Sequence, residues 1–167
     1  MNIPVFGFAA YSGTGKTTII EQVIRALKAR GIRTAVIKHD GHGLVNDCEG
    51  KDSWRFTQAG ADIMIIGSPE KFTYIEKKET SLQQLLAMVP DADIILVEGY
   101  KNEPIPRIGI ARKAVGKGFT ADIDTFLAIM TDLEVPESSV PCFALEDIQG
   151  VTEFLIEQIH KFPSKNS

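Results

Sequence analysis

The sequence predicts an α/β protein with a doubly wound, mostly parallel sheet and a small antiparallel edge. Three observations predict it. Short apolar runs alternate with helical apolar stripes along all 167 residues. The first run leads at once into a glycine-rich turn and a helix, the order of a βαβ unit. Two later runs end in carboxylates, Glu98 and Asp132, at the strand ends where open α/β sheets hold ligands.

The elements follow in order. Residues 5–9 form a buried strand. Ile19, Ile20, Val23, Ile24 and Leu27 stripe a helix over residues 17–30, with Gly31 as its stop. Residues 34–37 are the second strand, and residues 38–51 a long loop. Asp52 or Ser53 caps a short helix that ends at Gly60. Residues 62–66 and 72–75 are strands joined through Gly67-Ser68-Pro69, a connection short enough for antiparallel neighbours. Ser81-Leu82-Gln83-Gln84 resembles a capping box, opening a helix that Pro90 stops. Residues 93–97, 107–111, 126–130 and 141–144 are further strands, and Asp147 caps a final helix carrying Val151, Phe154, Leu155 and Ile159.

Composition limits the function classes. The chain is 44% hydrophobic, enough for one domain, expected over residues 1–162 with a frayed tail at 163–167. A net charge of −4 removes nucleic acid as the default partner. No apolar run nears the ~20 residues a membrane span needs, and the start carries no charged leader region. Cys48 and Cys142 are too few for a disulfide scaffold, so a cytoplasmic location is expected.

The chemistry starts at Tyr11-Ser12-Gly13-Thr14-Gly15-Lys16-Thr17-Thr18, a phosphate loop with Ala10 in place of the first glycine. The fold is therefore expected to be P-loop NTPase-like. Gly13 and Gly15 let the backbone approach an anion, and Ser12 and Thr14 complete the loop. Lys16 reaches the β- and γ-phosphates, the Thr17 hydroxyl ligates Mg²⁺, and Thr18 is placed for the α-phosphate. Glu98 stands where such proteins keep a carboxylate for Mg²⁺ or the hydrolytic water, and Asp40 is a second candidate for either role. Asp52 is a weaker one, since helix capping competes for it. Asp132 is a candidate for reading guanine, whose paired N–H donors a carboxylate accepts. A turn-forming Asp is the plainer reading.

Two further groups stand out. His39, His42 and Cys48 are suitable zinc or nickel ligands, but without the paired spacing of a dedicated site. Lys101, Arg107, Arg112, Lys113 and Lys117 concentrate positive charge, as a solvated loop or as the seat of an anion. No arginine sits beside a recognised strand-end motif. Arg107, across a loop with Pro104 and Pro106, is the nearest to Glu98.

The phosphate loop, then Ile37-Lys38-His39-Asp40-Gly41-His42, Gly50-Lys51-Asp52-Ser53, Ala59-Gly60-Ala61 and Val97-Glu98-Gly99-Tyr100-Lys101, together resemble molybdopterin-guanine dinucleotide biosynthesis protein B. The resemblance runs through nearly the whole chain in order. It implies a dimeric adapter that binds GTP and hydrolyses it weakly. It also implies a partner, the guanylyltransferase that attaches GMP to molybdopterin, with molybdopterin as a further candidate ligand. Asp47 and Cys48 gain no role from it. A metal-insertion GTPase using His39, His42 or Cys48, and a small-molecule kinase with its acceptor near residues 101–117, are the competing readings.

Overall fold

The structure, a computed structural model, describes residues 3–40, 49–135 and 139–163. The chain divides into two compact units, Met1–His39 with Leu82–Ser167, and Asp40–Ser81. The first unit carries a six-stranded sheet of β1 (Val5–Ala9), β2 (Thr34–Lys38), β5 (Ile94–Glu98), β6 (Arg107–Ala111), β7 (Ala128–Thr131) and β8 (Cys142–Phe143). Their order is β2-β5-β1-β6-β7-β8, and every neighbouring pair is parallel. The predicted β1–helix–β2 unit is present, but β5 lies between its two strands.

Helices cover both faces, as a parallel sheet requires. On one, α1 (Lys16–Ala29) and α4 (Ile148–Lys161) bury Val23, Leu27, Val151 and Leu155 against Phe6, Phe8, Leu96, Ile108 and Met130. Each such side chain contributes about 1.5–3 kcal/mol on burial. On the other, α3 (Leu82–Ala87) sets Leu82 and Leu86 against Ile37, Ile95 and Val97. The α1 and α4 ends are tied by Arg30, whose Nε donates to Glu153 at 2.8 Å. Asp147 caps α4 as expected, its Oδ1 accepting from the Gly150 N–H at 2.8 Å.

The second unit holds α2 (Asp52–Gln58) and the pair β3 (Ile63–Gly67) and β4 (Phe72–Glu76). β3 and β4 are antiparallel, as their short connection predicts. They form a sheet of their own and not an edge of the main one. Ile63, Ile65, Phe72 and Tyr74 alternate onto one face of this sheet, and all four are exposed.

One packing contact on the main sheet is tight enough to test. A Cβ at Gly109 in β6 would lie 2.7 Å from Phe126 Cδ2, and the Phe126 side chain is buried. Gly109→Ala is expected to destabilise the fold by about 1–3 kcal/mol through overpacking. Gly118→Ala, with nothing within 4 Å of the new methyl, serves as the control. Urea midpoints measure both, and equal midpoints would show that the ring yields freely.

Candidate functional site

The site is built at the carboxyl end of β1. The chain leaves the strand at Ala9, passes through residues 10–15 and enters α1 at Lys16. Gly13 and Gly15 hold φ of +85° and +84°, which a side chain would strain. Ala10 has no such angle, so a small residue suffices where the motif usually has glycine. Thr14 is buried, and its hydroxyl donates to the Tyr11 carbonyl at 3.0 Å, closing the loop on itself. No side chain caps α1, so its first-turn N–H groups and the positive end of its dipole face the loop. Ser12, Thr17 and Thr18 are exposed there.

The neighbouring strand end meets this loop. Phe8 lies opposite Glu98 in the β1–β5 register, and Lys16 Nζ donates to Glu98 Oε1 across an 82-residue separation. Both side chains are largely withdrawn from solvent, at 20% and 17% exposure. After Glu98 the chain turns through Tyr100, whose φ of +49° is strained for a residue with a side chain. Arg107 holds that turn in place. Its Nη1 donates to the Glu103 and Ile105 carbonyls at 2.7 and 3.1 Å, and its Nη2 to the Tyr100 carbonyl. Burial lowers the Arg107 pKa and the Glu103 charge opposes this. A guanidinium has ample margin to stay charged. The His39 ring lies 4.8 Å from that of Tyr100, and the His39 N–H donates to the Glu98 carbonyl at 2.9 Å.

The third strand end, on the other side of β1, belongs to β6. Arg112 follows β6 directly, and its Nε donates to the Thr14 carbonyl at 2.8 Å. The expectation that no arginine stands beside the loop is thus corrected. Lys113 follows, its N–H donating to Asp132 Oδ1 at 2.6 Å, and Lys117 Nζ lies 5.1 Å from the Tyr11 ring centroid. Sequence reasoning placed Arg112 in a basic cluster and missed its contact. The available signal was its position directly after a strand, but only the strand order makes that strand a neighbour of β1.

A cleft of about 880 Å³ runs along the phosphate loop, with Lys16, Lys101, Arg107 and Glu98 in its wall. Three cations against one carboxylate favour an anion. Asp132, exposed at the end of β7, is not part of that wall. Asp40 is exposed and opens the second unit. Asp52 begins α2, with Oδ1 3.7 Å from Arg55 Nη1, and Lys51 holds the cap position expected of Asp52 or Ser53. His42, Asp47 and Cys48 lie outside the described residues.

The family model of molybdopterin guanine dinucleotide synthesis protein B matches residues 5–132. The chain is 36% identical over 166 residues to the molybdopterin-guanine dinucleotide biosynthesis adapter protein of Haemophilus influenzae, covering 96% of this chain and 92% of that one. It is 36% identical to the adapter protein of Escherichia coli, covering 95% of each. The crystal structure of Bacillus subtilis MobB superposes with a TM-score of 0.75 at 24% identity, covering 93% of this chain and 98% of that one. That likeness shows the same fold. The chain belongs to the molybdopterin guanine dinucleotide synthesis protein B family.

Proposed function

We propose that this chain is a GTP-binding adapter with slow GTP hydrolysis, assisting the guanylyltransferase that attaches GMP to molybdopterin. The observation that carries the nucleotide reading is the loop itself. Two left-handed glycines, an uncapped helix start and Lys16 converge beside the Glu98 carboxylate. The pathway follows from the family. In this reading a polyphosphate takes Lys16 and the first-turn N–H groups. The Thr17 hydroxyl and Glu98 carboxylate suit Mg²⁺, a cation that prefers hard oxygen donors. Asp40 is a further candidate for the metal or the attacking water. Mg²⁺ would neutralise charge on the β- and γ-phosphates. Molybdopterin is a second candidate ligand, and the cytoplasm is the expected location.

For the base, Asp132 is the proposed guanine reader. One of its oxygens already accepts from Lys113, which leaves an exposed carboxylate at the strand end with acceptor capacity remaining. A homodimer is proposed as well. The exposed apolar face of β3 and β4 is the surface that a second copy would cover.

Four experiments test this reading. By titration calorimetry with Mg²⁺, Lys16→Ala is expected to lose about ten- to a hundredfold in GTP affinity, because a charge-assisted hydrogen bond contributes about 1.5–3 kcal/mol. Unchanged affinity would remove Lys16 from the phosphate site. The unsubstituted protein is expected to prefer GTP to ATP and Asp132→Asn to narrow that preference. Equal affinities for both nucleotides in the unsubstituted protein would refute a guanine site.

Single-turnover phosphate release is expected at ~10⁻⁴–10⁻² s⁻¹ without a partner. Glu98→Gln should lower it while nucleotide binding persists. Rapid turnover by the isolated chain would move the reading to a self-sufficient NTPase.

Sedimentation equilibrium tests the dimer. Replacing Ile65 and Phe72 together by Asp should yield a folded monomer. A dimer that survives this double change would place the interface elsewhere.

A further inference from the structure

We propose that Arg112 is a positioning residue of the phosphate loop, aiming the Gly15 amide at the bound polyphosphate, and that Asp132 braces it. The proposal rests on the nucleotide reading above. It starts from the geometry of one peptide bond. In a trans peptide the carbonyl and the following N–H point in opposite directions. Arg112 Nε takes the Thr14 carbonyl at 2.8 Å, so the Gly15 N–H of the same peptide is turned away from Arg112. Thr14 and Gly15 line the cleft and Arg112 does not. The guanidinium therefore stands behind the loop and the amide faces the cleft. A positive charge on the carbonyl oxygen also polarises the peptide and strengthens its N–H as a donor.

The arrangement is held on every side. Thr14 is buried with its hydroxyl on the Tyr11 carbonyl, so the side chain cannot take over the role of Arg112. The Gly15 carbonyl is occupied by the Ile19 N–H at 3.0 Å, which ties the same residue into α1. A Cβ at position 15 would come within 3.4 Å of Arg112 Nη2, so the guanidinium packs beside a residue without a side chain. Arg112 itself leaves β6 from Ala111, buried and paired with Thr131. The next residue, Lys113, gives its N–H to Asp132 Oδ1 at 2.6 Å. A continuous chain of contacts thus runs from the end of β7 through Asp132, Lys113 and Arg112 to the floor of the phosphate loop. It gives Asp132 a task that is independent of the base.

The test separates aim from charge. Calorimetry with GTP, GDP and GMP is run on the unsubstituted protein, Arg112→Lys and Arg112→Ala, with circular dichroism to follow folding. Arg112→Lys keeps the charge and loses the planar fork. It is expected to bind GTP and GDP about tenfold or more weakly, with GMP changed far less, because the polyphosphate meets the Gly15 amide. Arg112→Ala should lose at least as much, and free guanidinium ion should restore part of it where ammonium ion does not. Asp132→Ala should weaken ATP as well as GTP by this route, whereas a pure base reader would weaken GTP alone and overturn the bracing role.

If the unsubstituted protein binds neither GTP nor GDP, the nucleotide reading falls. If it binds both, and Arg112→Lys and Arg112→Ala bind them equally well, the positioning role falls. Should the variants not fold, the unsubstituted protein still decides. The Arg112 Nε–H resonance should exchange slowly with solvent and shift when GDP is added. Exchange as fast as that of exposed Arg25, with no shift on GDP, overturns the proposal.

Discussion

Parallel pairing on both sides of β1 is the constraint from which the site follows. Phe8 stands opposite Glu98 on one side, and Ala9 stands opposite Gly109 on the other. With those registers set, the residues that follow three different strands arrive at one loop. Glu98 reaches Lys16 from β5, and Arg112 reaches Thr14 from β6. Neither contact could form in a register displaced by one residue, because every side chain would then change face. The registers are enforced by the core. Phe6, Phe8, Leu96, Ile108 and Met130 must all point at α1 and α4 for the apolar surface to be buried. Hydrophobic packing thus sets the distances between charged groups at the cleft.

Much of this was legible in the sequence, for local reasons. The phosphate loop is contiguous, and its glycines announce their left-handed angles by being glycines. The stripes of α1 and α4 carry the helical period, and the Asp147 cap lies beside the helix it starts. Strand locations were legible because buried parallel strands are short and apolar throughout. What could not be read was the order of the strands. Nothing between β1 and β2 says that β5 will lie between them, nor that β3 and β4 will form a sheet of their own. Arg112 was hidden for the same reason. Its contact with Thr14 spans 98 residues and depends on β6 adjoining β1.

Asp132 shows how a strand-end residue can hold a structural contact that its sequence position does not announce. Its place after an apolar run marked it as a candidate for a ligand. The structure gives one of its oxygens to the Lys113 N–H, a contact that no motif records. The proposed base contact and this backbone contact are compatible in physical terms. A carboxylate has about four acceptor sites, and one backbone N–H occupies one of them. Fixing that oxygen also reduces the rotational freedom that the remaining oxygen would lose on meeting a base.

In the proposed reading, the charges suit holding an anion more than splitting one. The chain is acidic overall, yet Lys16, Lys101 and Arg107 line the cleft and Arg112 and Lys117 lie beside the loop. Two of these are already committed to backbone. Arg107 spends its guanidinium on the Tyr100, Glu103 and Ile105 carbonyls, and Arg112 gives its Nε to Thr14. A cation bound to fixed carbonyls shapes the site in the ground state, and it would have to leave those partners to follow charge that develops in a transition state. Acceleration requires interactions that strengthen on the way to that state. Lys16 is the cation best placed to exchange partners, since Glu98 and a phosphate oxygen present the same kind of acceptor. Such an exchange replaces one partly buried ion pair with another, and it frees the Glu98 carboxylate for the Mg²⁺ of the proposed reading. In the proposed reading, a site of this construction binds and releases a polyphosphate with its scaffold unchanged. That is the behaviour an adapter needs if the chemistry belongs to its partner.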